Sequence, residues 1–172
     1  MAKKEGYRCF CHTFTIPEGS PDNVTFNVEM ELLGATAWDG KTVTTPVANA
    51  DGVYEIGTGA ELAGFAQVVA STATAKGVLT ADIDLANFDW TPIGATSSKA
   101  FKGEFNGAGH KIRGLYIGAP KKDYQGLFGY AVGTAEAPIT IKGITVSDGS
   151  VGGKSYIGAI LGYGGSYVTI SE

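Results

Sequence analysis

Two cysteines, two histidines and a charged fraction of 17% leave this 172-residue chain few of the side chains that usually carry chemistry. Cys9 and Cys11 stand one residue apart, so strand alternation points both thiols to one face, and an internal disulfide across that spacing would be strained. A zinc site needs two further ligands, which His12 and the distant His110 supply only if folding happens to gather them. Ordinary reduced or packed thiols are the expectation, with a bond to another chain as the alternative, and neither fixes the compartment.

Basic charge is also scarce. The net charge is −4, and the lysine pairs Lys3-Lys4 and Lys121-Lys122 are too short to build a groove, so nucleic acid is not expected as a partner. No apolar run approaches the ~20 residues needed to cross a bilayer. The opening residues, Met1-Ala2-Lys3-Lys4-Glu5-Gly6, turn polar at once, so neither membrane insertion nor an export signal is expected of this sequence. With 44% hydrophobic residues the chain is apolar enough to fold, which argues against disorder.

Glycine is what the chain has in excess: 26 residues, roughly twice the usual ~7% share, without the Gly-X-Y period of collagen. Glycine on that scale suits many tight turns, and Asn106-Gly107, Asp148-Gly149 and Gly152-Gly153 read as natural corners. Between residues 1 and 34, two strand-like stretches flank a turn-rich loop, Pro17-Glu18-Gly19-Ser20-Pro21-Asp22. Val24, Phe26, Val28, Met30 and Leu32 alternate with polar residues, and Phe10, His12, Phe14 and Ile16 do the same in Tyr7 to Ile16. This predicts a long-looped β-hairpin, which must lean on the rest of the fold or on another molecule because a lone hairpin is marginal in water.

Residues 35 to 57 read as a connector ending in a strand at Val53 to Ile56. Thr58-Gly59-Ala60-Glu61 fits the capping box, and Leu62, Phe65, Ala66 and Val69 fall on one face of a helix ending near Ser71. Beyond Val78 the chain echoes itself. Ile112-Arg113-Gly114-Leu115-Tyr116-Ile117 matches Ile141-Lys142-Gly143-Ile144-Thr145-Val146 at an offset of 29. Tyr124-Gln125-Gly126 matches Tyr156-Ile157-Gly158 at 32, and Gly129-Tyr130 matches Gly162-Tyr163 at 33. Repeats of strand-length apolar pieces with no helical stripe between them predict stacked strands, a β-solenoid over 58–172.

The run from Gly52 to Ala66 (GVYEIGTGAELAGFA) resembles the start of bacterial surface-protein modules in which a strand and helix precede a glycine-rich β-helix. Ala81-Asp82-Ile83-Asp84-Leu85, Trp90-Thr91-Pro92-Ile93-Gly94, Phe101 to Gly107 and His110-Lys111-Ile112 look like the same class. Gly126-Leu127-Phe128-Gly129 and Gly158-Ala159-Ile160-Leu161-Gly162 are similar to the GLUG motif of adhesins and secreted surface proteins. The resemblance covers residues 36 to 168 and implies an all-β, pectin-lyase-like right-handed parallel β-solenoid with an N-terminal capping α-helix. Residues 1–34 match nothing in that class and read as an attachment segment, while the usual export signals are missing.

Candidates for chemistry are few. Asp82, Asp84 and Asp89 form the only local acidic cluster on a strand-turn segment, and carboxylates with calcium or a basic partner serve polysaccharide-active β-helix enzymes. The competing reading, which we prefer, makes them caps of backbone amides at corners and solvated faces. His110 follows Gly107-Ala108-Gly109 with no nucleophile near it in sequence, and reads as a polar corner residue. The runs 103–109 and 149–153 lack the lysine and following helix of a phosphate loop. Tyr116, Tyr124, Tyr130, Tyr156, Tyr163 and Tyr167 either seal solenoid faces or form rows able to stack on sugar rings or meet a protein. Asn23-Val24-Thr25 is a glycosylation sequon, relevant only in a eukaryotic secretory route.

The functional expectation is a non-catalytic structural or adhesion module on a bacterial surface or outside the cell, part of a larger protein or assembly, binding a glycan or protein through a rigid face. No catalytic residue, cofactor or metal is expected, and no individual binding residue is assigned. The alternative is a virion decoration or fibre protein that assembles through its N-terminal hairpin, with copies of itself as a homo-oligomer or with other assembly proteins. A polysaccharide-active enzyme is the lesser alternative, resting on fold analogy alone.

Overall fold

Strands of three or four residues have too few hydrogen bonds to persist alone, so they form only where the chain returns to lay a second strand alongside. In the computed structural model, which describes Tyr7–Cys9, Met30–Leu32 and residues 37–172, this happens coil upon coil. The chain divides into two units, Met1–Ala35 and Thr36–Glu172.

In the first unit, β1 (Tyr7–Cys9) pairs antiparallel with β2 (Met30–Leu32), with Arg8 opposite Glu31. The hairpin read from the alternation is thus present in these residues. Cys11, the loop from Pro17 to Asp22 and the sequon at Asn23 lie outside the described residues.

In the second unit, β3 (Val47–Ala48) pairs antiparallel with β4 (Val53–Ile56), both within the stretch read as connector. Helix α1 (Gly59–Ser71) follows where the capping box placed it. Thr58 Oγ1 accepts from the Glu61 amide at 3.2 Å, and the Glu61 carboxylate accepts from the Gly57 amide at 2.9 Å. The box therefore closes one residue earlier than the usual reciprocal pattern, and still satisfies two backbone donors. Leu62, Phe65 and Val69 are buried along one stripe.

Three coils then stack. The first contains β5 (Lys76–Leu79) and β6 (Ile83–Asp84), with a 3-10 turn at Ser97–Lys99. The second contains β7 (Glu104–Asn106), β8 (Lys111–Arg113), β9 (Tyr116–Gly118) and β10 (Phe128–Ala131). The third contains β11 (Ile139–Lys142), β12 (Thr145–Ser147), β13 (Ser150–Gly152) and β14 (Leu161–Gly164), and β15 (Val168–Ser171) begins another. Strands β4, β5, β7, β11 and β15 form one parallel face, β6, β8 and β12 a second, β9 and β13 a third, and β10 and β14 a fourth. This is a parallel β-solenoid of about three turns.

The interior is a column of side chains. Phe65 of α1 lies 5.7 Å from Phe105 and 6.4 Å from Phe101, and both of these rings lie about 5 Å from Phe128. All four are fully buried, each stabilising the fold by ~1.5–3 kcal/mol through burial alone. Because Phe65 completes this column, α1 closes the end of the solenoid at the first coil.

The repeat of 29 residues does not give the stacking register. Ile112 pairs with Ile83 and Val146, whereas Ile141 pairs with Phe105 and Ile170. The two matching hexapeptides occupy different corners of the coil. Each bends between strands at a left-handed glycine, Gly114 (φ +68°) or Gly143 (φ +60°), so a shared corner chemistry produces sequence similarity without alignment. The offsets of 32 and 33 are true registers, since Gln125 bridges Ile157 and Tyr130 pairs with Tyr163.

The anticipated corners also differ in detail. At Asn106-Gly107 the left-handed residues are Ala108 and Gly109, and the Asn106 side chain accepts from the Ala108 amide at 2.9 Å. Gly107 serves instead to let the Gly143 carbonyl approach where a Cβ would stand. At Asp148-Gly149 it is Asp148 that adopts φ +50°, and Gly152-Gly153 needs no positive φ.

Candidate functional site

The acidic trio separates into two places. Asp82 reaches from the first coil to the second, accepting from the Lys111 amide at 3.0 Å and meeting His110 Nδ1 at 3.1 Å. Those contacts, the Lys111 amide first, hold its carboxyl below the ordinary aspartate value. Asp84 is buried, accepts from the Ala86 amide at 2.8 Å, and meets the Arg113 guanidinium at 3.1 Å. Since Asp84 stands opposite Arg113 in the pairing register, the two aspartates act as ties between consecutive coils. Asp89 is exposed and borders a different depression. Among the described residues, no three His, Cys, Asp or Glu side chains gather as a metal would require.

His110 is half-exposed, and its backbone amide closes the corner onto the Gly107 carbonyl at 2.8 Å. The structure thus joins His110 to Asp82, a link the sequence did not suggest.

Four of the six tyrosines meet on one outer surface. Tyr124 stacks on Tyr156 at 5.2 Å, and Tyr130 stacks on Tyr163 at 4.6 Å. Edge contacts of 5.1 to 5.8 Å join the two stacks. The array follows from register, because residues 32 or 33 apart lie on the same column. Burial and the neighbouring Tyr163 and Tyr124 push the Tyr130 hydroxyl above the ordinary phenol value, and its hydrogen bond with Tyr163 adds to this. Tyr116 lies apart, with its hydroxyl beside Gly118, and Tyr167 is exposed at the turn into β15.

Tyr124 and Tyr156 adopt φ +62° and +59°, a conformation that costs a residue with a Cβ ~1–2 kcal/mol. Both belong to arches that leave the coil after its third face. Twelve positions separate Tyr116 from Phe128 and eleven separate Ser150 from Leu161, but only four separate the first-coil counterparts Asp89 and Ile93. The first coil has no arch there.

Its absence leaves a notch of about 600 Å³, bordered by Asp89, Thr91, Pro92 and Thr96 on the first coil and by Lys122, Asp123 and Tyr124 on the second. Asp123 Oδ1 is buried with no hydrogen-bond partner. The sequence singled out Asp89 and Tyr124 for other roles, but it did not suggest the notch that they border with Thr91, Thr96, Lys122 and Asp123. The available signal was the unequal spacing between Asp89-Trp90…Ile93-Gly94 and its counterparts, which becomes meaningful only once the register is known.

The chain was compared with protein-family models, with curated proteins and with solved structures, and none of the three comparisons returned a match.

Proposed function

We propose that the solenoid is a non-catalytic binding module of the adhesion type, displayed on a bacterial surface or outside the cell, with the tyrosine array as its contact face. The observation that carries this reading is the arrangement of Tyr124, Tyr130, Tyr156 and Tyr163 in mutual stacking contact on the outside of the second and third coils. Tyrosine offers a large amphipathic area with little rotational freedom to lose, and the stacking removes most of what remains. Two of these rings stand on left-handed backbone, a strained conformation of the kind that is common at contact sites. The GLUG-like motifs lend support: Gly126, Gly129 and Gly162 sit where carbonyls of the adjoining segments come too close for a Cβ, which keeps the coils under the array in close register. Glycan-array and matrix-protein binding by the whole chain tests the proposal. Specific binding lost in Tyr163→Ala supports it, and no binding to any glycan or matrix protein overturns it.

A second reading, an assembly component such as a virion decoration or fibre protein, is favoured by the third coil. Ile112, Ile117 and Phe128 are buried, but their register partners Val146, Val151 and Leu161 are only half-buried. Ile170 on β15 is 46% exposed, and among the described residues no strand pairs with the outer edge of β15. Such an edge can take a further strand, from this chain or from another molecule. Sedimentation of the whole chain separates the two readings, since a monomer at all concentrations, with and without reductant, counts against assembly.

A further inference from the structure

Three features converge at the notch left by the missing first-coil arch. The Tyr124 ring is covered by Tyr156 on one face, and the residue borders the notch that opens toward the preceding coil. The column of stacked rings thus stops one coil short, leaving room for one more planar, partly apolar object. Beside it, Asp123 Oδ1 has been removed from water without receiving a hydrogen bond, an arrangement costly enough that most buried carboxylate oxygens avoid it. The other Asp123 contact is fixed elsewhere, because its backbone carbonyl accepts from the buried Gln125 side chain at 2.5 Å. Around the rim stand Asp89, Lys122 and the exposed Thr91 and Thr96, so that with Asp123 the lining carries two carboxylates and one ammonium.

We infer that this notch is a subsite for a single neutral pyranose unit of a glycan, an inference that rests on the binding-module reading and gives it a ligand class. A pyranose presents an apolar face of axial C–H groups that stacks on Tyr124, while a rotation of the Asp123 side chain brings its unpaired Oδ1 into the notch to accept from the equatorial hydroxyls, which also exchange hydrogen bonds with the threonines and Lys122. A cavity of about 600 Å³ holds one such ring with its solvent, leaving the linkage to its neighbours on the open side. The surplus carboxylate disfavours uronic and sialic acids. Stacking would replace the ring missing from the first coil, extending the tyrosine column by one ligand.

The test uses the whole chain, isotope-labelled for amide NMR, titrated separately with β-1,4-linked hexamers of glucose, mannose and N-acetylglucosamine, and with hexagalacturonate. The expected result is saturable shifts confined to 89–96 and 118–125 with at least one neutral hexamer, unchanged by a metal chelator. Asp123→Ala and the rim-filling Thr91→Trp should each weaken that binding by about tenfold or more, while Tyr124→Phe retains it. Shifts that instead map to Tyr130 and Tyr163 and ignore Asp123→Ala and Thr91→Trp overturn the subsite and leave the binding module standing. No response to any neutral hexamer, a preference for hexagalacturonate at the notch, or a requirement for a divalent cation also overturns it. Only failure against glycans and matrix proteins alike removes the broader reading as well.

Discussion

Tyr124 and Tyr156 stack with their ring planes 14° apart, and each does so from a left-handed backbone of φ +62° or +59°. The rings and the backbone make opposing contributions, which substitutions can separate. Tyr156→Ala loses the stack and keeps the strain of a Cβ at positive φ, whereas Tyr156→Gly loses both the stack and the strain. Despite the greater freedom of glycine in the unfolded chain, Tyr156→Gly should be the more stable of the two by ~1 kcal/mol in urea denaturation.

Two of the inter-coil contacts between charged side chains should differ in worth. Lys76 and Glu104 meet at 3.0 Å with both side chains at least half exposed, so Lys76→Ala should cost under ~1 kcal/mol. Arg113 faces a carboxylate that is only 4% exposed, so Arg113→Ala should cost ~1–3 kcal/mol by leaving Asp84 charged and less well compensated. Denaturant midpoints of the two variants measure the contrast.

Much of this fold could be read from the sequence, and the failures share a cause. The helix was legible because Thr58, Glu61 and the stripe Leu62, Phe65, Val69 are local signals, all within one stretch of chain. The tyrosine pairs were legible because arches of nearly equal length give nearly equal offsets. Ile112 and Ile141 misled because Gly114 and Gly143 impose one corner chemistry at two corners, and similarity then reports local bending and not position in the stack. The notch could not be seen because it consists of residues the first coil does not have, and Asp123 becomes conspicuous only when its surroundings leave it unpaired.

Acid should weaken the turn at Asp39. Its carboxylate accepts from the Thr42 hydroxyl and from the Thr42 and Lys41 amides, in that order of effect, which lowers its pKa from 3.8 to about 2. A depressed acid pKa contributes stability that is complete above the unfolded value of 3.8 and is lost as pH falls toward about 2. Carboxyl carbon chemical shifts should place the Asp39 titration near pH 2, and Asp39→Asn should flatten the acid limb of the stability profile.

At alkaline pH the sign is reversed in direction. The Tyr130 hydroxyl is held above its ordinary value of 10.0 in the fold, so its contribution is complete below pH 10.0 and declines as the pH rises beyond it. Ultraviolet titration should show Tyr130 ionising late, and Tyr163→Phe should bring its midpoint back toward the ordinary value by removing both a hydrogen bond and a neighbouring charge.

Successive coils of the first face advance by 28, 36 and 29 residues, from Gly77 to Phe105, Ile141 and Ile170, while the strands they carry remain in register. The axial pitch is set by backbone hydrogen bonds between neighbouring strands, so added length goes sideways into the arches. The molecule therefore separates two kinds of heredity in one chain. Substitutions in the column from Phe65 to Ile141 answer to packing, whereas insertions and deletions at the arches can reshape the outer contour with no repair of the interior. A missing arch, as in the first coil, is then one of the simplest ways such a chain can acquire a socket.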